Sequence, residues 1–385
     1  MIIGHYEHDI WAKGGIASYI RQLGAAQHSV GHTVHYLSLK SVASENSDTL
    51  PIVVRDDTDL FLQAQKLGLD ILHLHTFIDT PPPSNIPAIR TLHVHHPYCP
   101  SGGRYLERWH CPCDRSYSLQ GCLWGHLVDH CGSVRPQEML KNFQQTWHEK
   151  TILPQIPVIT VSQFLKDQMV RSGYSESSIR VLPLFVNLAP QYSPPPQTGV
   201  ARFVFLGRIV PQKGLSFLLQ ALRKVKVPFH LDIAGEGYQE PELCQSIEKF
   251  GLGDRVTFYG WVSPDKASHL IESARAIIFP SMWHEPAGFI TLEAATMGRA
   301  VIGTQVGAIP EYTNRLQNSL LVEPGNTSQL ADAITRLVED WSLAQQLGET
   351  GRNMLNHHFK LQDHLDQLTQ FYNSAICLNK STYLS

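Results

Sequence analysis

ARAIIFPSMWHEPAGFITLEAATMG, residues 274–298, is the stretch on which the reading of this chain turns. ARAIIFPS (Ala274 to Ser281) reads as a short buried strand, MWHEPAGF as a glycine- and proline-bearing loop, and ITLEAATMG as a helix that stops at Gly298. Glu285 then sits on a loop at a strand's carboxyl end, and Glu293 lies about one turn into the helix. Ionised carboxylates are costly to bury without specific partners, and a polyhydroxylated ligand would supply them. In open parallel sheets that edge is where ligands bind, and the backbone N–H groups of Gly288, Phe289, Ile290 and Thr291 would open the helix towards an anion. A phosphate flanked by two carboxylates that accept hydroxyl hydrogen bonds describes a nucleotide sugar.

The same strand–helix habit extends in both directions. MIIGHY, HTVHYLSL, LDILHLHT, AIRTLHV and IPVITVS predict strands in the first half; RFVFLGRI, FHLDIAG, RVTFYGW, RAIIFPS and AVIGT predict them in the second. Helical stretches such as GIASYIRQLGAAQHS lie between some of them, which predicts α/β architecture with parallel sheets. LPLFVNLAPQYSPPPQTG (Leu182 to Gly199) is proline-rich and predicts an interdomain linker. Two α/β domains of similar size usually bind ligand in the cleft between them. At 385 residues and 43% hydrophobic content the chain is long enough for two such domains. A formal charge of −3, balanced between the halves, advertises no nucleic-acid face. No apolar run reaches the roughly 18 residues of a membrane span, and MIIGHYEHDI lacks a leader's pattern, so the expected location is cytoplasmic. Peripheral contact with the inner face of a membrane would need only a shallow apolar patch.

Four loops carry further ligand-binding chemistry. In FLGRIVPQKG (Phe205 to Gly214), Gly207 permits a sharp turn, while Arg208 and Lys213 are placed to reach one anion from either side. IAGEGYQE places Gly235 and Gly237 after the next strand, a weak signal because any tight turn uses glycine. GWVSP follows another strand and offers backbone groups at Val262 to a flat base. AKGGIASYI sets Gly14 and Gly15 before a helix, a second flexible turn that could approach phosphates.

Read in order, the GG turn, FLGRIVPQKG, IAGEG, EPAGFITLEA and VGAIPE resemble retaining glycosyltransferases of family 4. That resemblance covers nearly the whole chain and implies the GT-B fold: two Rossmann-like parallel-sheet domains facing each other across a cleft. It implies an N-terminal domain of 1–185 plus about 364–385, a linker at 186–199 and a nucleotide-sugar-binding domain at 200–363. The last helix, about His364 to Ala375, would then pack on the N-terminal domain. Arg208 and Lys213 inherit the donor diphosphate, Glu285 the donor-sugar hydroxyls and Glu293 the ribose. RTLHVHHPYCPSGG (Arg90 to Gly103) resembles the family's strand ending in a histidine near the donor sugar, which makes His93 and His95 catalytic candidates. Relatives often carry aspartate where Val94 stands.

The implied activity is transfer of a hexose, glucose first, from a UDP-sugar to a glycan or lipid-linked glycan, with no cofactor required. Departure of the diphosphate loads phosphate oxygens with charge, so preorganised cations contribute most, and Glu285 would orient the sugar rather than attack it. Rival readings are GDP-mannose or another nucleotide sugar as donor, or a nucleotide-sugar-binding protein without turnover. Acceptor recognition is expected on Gly102 to Asp114 and around Phe77 to Asn85, with Arg104, Arg108 and Arg115 able to attract an acidic group or simply to be solvated. Cys99, Cys111, Cys113, Cys122 and Cys131 crowd one stretch with His110, His126 and His130. Structural metal, disulfides and reduced thiols all suit that density, and the irregular spacing favours none.

Overall fold

The computed structural model describes residues 1–40, 50–186 and 192–382. Numbered along the chain, the first strands are β1 (Ile2–Tyr6), β2 (Thr33–Ser38), β3 (Ile52–Val53), β4 (Ile71–Leu74) and β5 (Ala88–Leu92). An antiparallel pair follows, β6 (Tyr105–Leu106) and β7 (Cys111–Pro112), and then β8 (Val158–Thr160) and β9 (Ile179–Val181). Without β6 and β7 these strands make one seven-stranded sheet in the order β3-β2-β1-β4-β5-β8-β9, parallel throughout. β4 and β5 are buried along their whole length, as strands covered on both faces must be.

A second sheet of six parallel strands comprises β10 (Ala201–Leu206), β11 (Phe229–Ala234), β12 (Val256–Phe258), β13 (Ala276–Phe279), β14 (Ala300–Thr304) and β15 (Ser319–Val322). Their order is β12-β11-β10-β13-β14-β15. Successive side chains of a strand point to opposite faces, and two separate cores result. Phe203, Phe205, Ala276 and Ile278 enter one, while Val204, Ile277 and Phe279 enter the other. The order reverses direction between β10 and β13, so their carboxyl ends form a topological switch point.

The chain divides into two compact units: Met1–Gly102, Arg135–Leu184 and Leu361–Ser385 in one, Gly103–Val134 and Phe185–Lys360 in the other. The helix Leu361–Thr382 thus belongs to the first unit, where Tyr372 accepts from Gln27 and bonds His73. The part of the cysteine-rich stretch beyond Cys99, Gly103–Val134, expected in the N-terminal domain, packs instead with the second unit, whose core takes up Tyr105. Of the expected linker, residues 187–191 lie outside the described residues, as do 383–385 at the end of the chain. The linker's described part is anchored by buried arginines: Arg299 donates to Ser193 O at 2.7 Å and Arg275 to Pro196 O at 2.9 Å.

Candidate active site

Two loops meet at the switch point of the second unit. After β10 come Gly207, at φ 151°, and Arg208, exposed and without a partner among the described residues. A single 3₁₀ turn, Pro211–Lys213, then ends on Gly214 at φ 75°. A Cβ at Gly214 would stand 1.8 Å from Pro280 O, so only glycine lets this loop lie against the end of β13. That approach delivers Lys213 to Glu285: Nζ donates to Oε1 at 2.6 Å, with the ammonium 5.3 Å from the Trp283 ring centroid. Trp283 Nε1 donates to the same oxygen at 2.7 Å, and Ser281 Oγ donates to it as well. Three donors on Oε1 meet the requirement for burying Glu285, which is 5% exposed. Its Oε2 accepts from nothing among the described residues.

The loop is braced from behind. Ala308 N–H donates to Glu285 O at 2.9 Å, and a Cβ at Gly307 would come within 2.4 Å of the Glu285 backbone nitrogen. Gly307 N–H donates to His284 Nδ1 at 3.2 Å, which leaves His284 Nε2–H to donate to Asp114 at 2.8 Å. Burial holds the His284 pKa below its usual value, and Arg104 adds to the effect. Asp114 lies in the cysteine-rich stretch, so that stretch supports the glutamate loop. Sequence reasoning missed Ser281, Trp283, His284, Asp114 and Gly307. SMWHE offered the signal, with three hydrogen-bonding side chains in the four positions before Glu285.

The helix Phe289–Thr296 begins beyond the loop, with Gly288 as its N-cap. Thr291 N–H donates to Gly288 O at 2.8 Å, so of the four N–H groups expected to face an anion only those of Gly288, Phe289 and Ile290 stay open to one. Glu293 is half-buried, and nothing among the described residues bonds its carboxyl group. Burial alone pushes its pKa up to about 7. Gly235 and Gly237 have a packing role: a Cβ on either would stand 1.8 Å from Gly207 O or 2.0 Å from Ile209 O. Val262 is partly buried against the second core.

The remaining candidates belong to the first unit. Gly14, at φ 148°, caps the helix Gly15–Ser29, and both glycines are exposed with open space around them. His93 follows β5 and its Nε2 lies 3.2 Å from His75 Nδ1. His95 is fully enclosed, with Nδ1 2.5 Å from the Tyr98 hydroxyl, so of the two only His93 has ring surface to offer a ligand.

In the cysteine-rich stretch the organiser is Asp129, 2% exposed, which accepts from Trp109 Nε1 at 2.8 Å and Arg115 Nη1 at 2.6 Å. All seven cysteines are free thiols. Cys99, Cys111, Cys113, Cys122 and Cys131 are not gathered as a ligand set; among the described residues the group whose donor atoms converge is His5, His73 and His75. Arg104 is buried and donates to Arg115 O, so neither it nor Arg115 is merely solvated.

Residues 193–354, which contain the whole glutamate site, match the family described as glycosyl transferases group 1. That segment is similar to the group 1 glycosyltransferases. An uncharacterized glycosyltransferase of Methanocaldococcus jannaschii is 31% identical over 146 residues, 37% of this chain and 37% of that protein. The chain therefore spans well under half the length of that curated relative. Among solved structures, sucrose-phosphate synthase from Thermosynechococcus elongatus superposes with a TM-score of 0.74 at 21% identity, covering 98% of this chain and 100% of that one. HepE of Anabaena in complex with UDP-glucose gives 0.71 at 16% identity, over 97% and 100%. At those identities the likeness is one of fold: two Rossmann-like parallel sheets in one chain, the GT-B architecture.

Proposed function

We propose that the protein is a retaining glycosyltransferase that moves a hexose, glucose in the first instance, from a UDP-sugar to a glycan or lipid-linked glycan. The observation that carries this reading is Glu285, fixed through Oε1 by Lys213, Ser281 and Trp283 while Oε2 has no partner among the described residues. A sugar hydroxyl suits that oxygen. The diphosphate would be met by Arg208, by Lys213 turning from Glu285, and by the first N–H groups of the helix Phe289–Thr296. Glu293, ionised, would accept ribose hydroxyls. As the sugar–phosphate bond breaks, negative charge grows on the phosphate oxygens, and cations already bound to the diphosphate stabilise it. The HepE complex, solved with UDP-glucose, supports the choice of donor.

For the acceptor, Trp109, Leu119, Trp124 and Leu127 stand exposed on the cysteine-rich stretch, beside an exposed Arg108. Aromatic and aliphatic side chains with a nearby cation suit the interface of a membrane that carries a lipid-linked glycan at the cytoplasmic face. No helix among the described residues is long and apolar enough to cross a membrane. Incubation with a panel of labelled nucleotide sugars tests the reading: turnover of UDP-glucose above the other donors is expected. Preference for GDP-mannose would replace the donor, and binding without turnover of any donor would replace the enzyme by a binding protein.

A further inference from the structure

Four histidines of the first unit form one hydrogen-bonded network whose polarity can be worked out bond by bond. Its anchor is Gln27, 2% exposed on the helix Gly15–Ser29. The amide oxygen of Gln27 lies 2.7 Å from His5 Nε2, while its nitrogen donates to the Tyr372 hydroxyl at 3.1 Å. His5 Nε2 therefore carries the proton and His5 Nδ1 accepts. The partner of Nδ1, at 3.0 Å, is His75 Nε2, which must donate. His75 Nδ1 then accepts from His93 Nε2 at 3.2 Å. Tyr372, having accepted from Gln27, donates to His73 Nδ1 at 2.7 Å, and His73 Nε2–H donates to Thr91 at 2.7 Å.

All four rings are thus the same tautomer, and each bond has one donor. Burial favours the neutral ring throughout: the pKa of His5 falls to about 4 and that of His93 to about 3, with Arg90 adding to the second. One nitrogen is left over. His93 Nδ1 has no partner among the described residues, on a ring 7% exposed, whereas His5 and His73 are fully enclosed.

We propose that Gln27, His5 and His75 are positioning residues that hold His93 as its Nε2–H tautomer, so that Nδ1 is presented to a ligand hydroxyl as an acceptor and never as a donor. The ligand half of this statement rests on the reading of His93 as a site residue; the network half does not. From Gln27 through His5 and His75 to His93, only one other polarity satisfies every bond. Turning the Gln27 amide over would move each proton to Nδ1 and make His93 a donor. The ring nitrogens of His5, His73 and His75 that lie within 4.8 Å of one another could instead hold a divalent cation. The network speaks against that, because these rings are already bound to one another or to Thr91, Tyr372 and Gln27, and no carboxylate joins the group to offset a dication.

Long-range ¹⁵N–¹H spectra of the full chain labelled in histidine test the assignment, with His75→Gln and His93→Gln used to identify signals. Nε2–H with unprotonated Nδ1 on His5, His75 and His93 is the expected result. Nδ1–H on His93, or stoichiometric bound metal in purified protein, overturns it. In Gln27→Met the His93 signal should become a mixture of tautomers, with kcat for donor turnover falling about threefold and KM moving less than twofold. An unchanged His93 tautomer in that variant overturns the coupling. If tautomers are as expected yet His93→Gln turns over donor normally, the ligand contact of His93 falls and the network assignment stands.

Discussion

Both units bury polar side chains at the carboxyl edge of a parallel sheet, and they do so by opposite means. In the second unit the groups are charged: Lys213 and Glu285 pair at 2.6 Å, three donors crowd one carboxylate oxygen, and the other oxygen, the Glu293 carboxyl group and Arg208 are left unspent. In the first unit His5, His73, His75 and His93 are neutral, and each bond between them matches one donor to one acceptor. Burial by itself does not mark a ligand site, since both regions are buried. Unspent hydrogen-bonding capacity does, and the second unit holds most of it.

The largest expected effect tests the charged side of this contrast. Arg208→Ala and Lys213→Ala should each lower donor turnover more than tenfold, because each removes a cation from a centre where charge develops. The two should part company in stability. Lys213→Ala leaves Glu285 buried without a counter-charge and should cost about 3 kcal/mol, whereas Arg208→Ala, exposed and unpaired, should leave Tm within about 1 °C. Equal stability losses for the two variants would show that the pair is not what holds the loop.

Glu293 comes next. Its folded-state pKa of about 7 is above the ordinary 4.5, so the folded protein binds the proton more tightly than the unfolded chain. Stability carried by this group is complete below the unfolded value and is lost as pH rises through 7. Glu293→Gln should therefore raise Tm by about 2–4 °C at pH 8 and leave it unchanged at pH 4. Donor affinity has the opposite slope: only the ionised carboxylate accepts two hydroxyls, so wild-type binding should tighten between pH 6 and 8, and the variant should lose that dependence. A pH-independent wild-type affinity would remove Glu293 from the donor site. The smallest effect concerns the surface. Replacing Leu119 and Trp124 with serine should reduce flotation with anionic vesicles severalfold while turnover of soluble donor is kept; undiminished flotation would place membrane contact elsewhere.

Strand–loop–helix order and the parallel sheets were legible in the sequence because hydrophobic runs and loop glycines are local signals, whereas the bond between Lys213 and Glu285 was not. What was not legible came from contacts distant in sequence. Asp114 supports His284 across 170 positions, and nothing in the spacing of the cysteines says that Asp129 organises that stretch. Gly235 and Gly237 looked like ligand glycines and turn out to be required by backbone packing against Gly207 and Ile209. Thr291 was counted as an open N–H until its bond to Gly288 O was visible. The histidine network was least legible of all, since its members come from β1, β4, the end of β5 and two helices, and a histidine in a buried strand carries no local mark of its tautomer.

The central claim is that the free oxygen of Glu285 binds the transferred sugar while the cations bind the diphosphate. Calorimetric titration of UDP and UDP-glucose into the wild-type protein and Glu285→Gln tests it most directly. The account predicts that UDP affinity changes less than threefold in the variant while the added affinity contributed by glucose falls about tenfold. Equal weakening of both ligands, or no change in either, would contradict it.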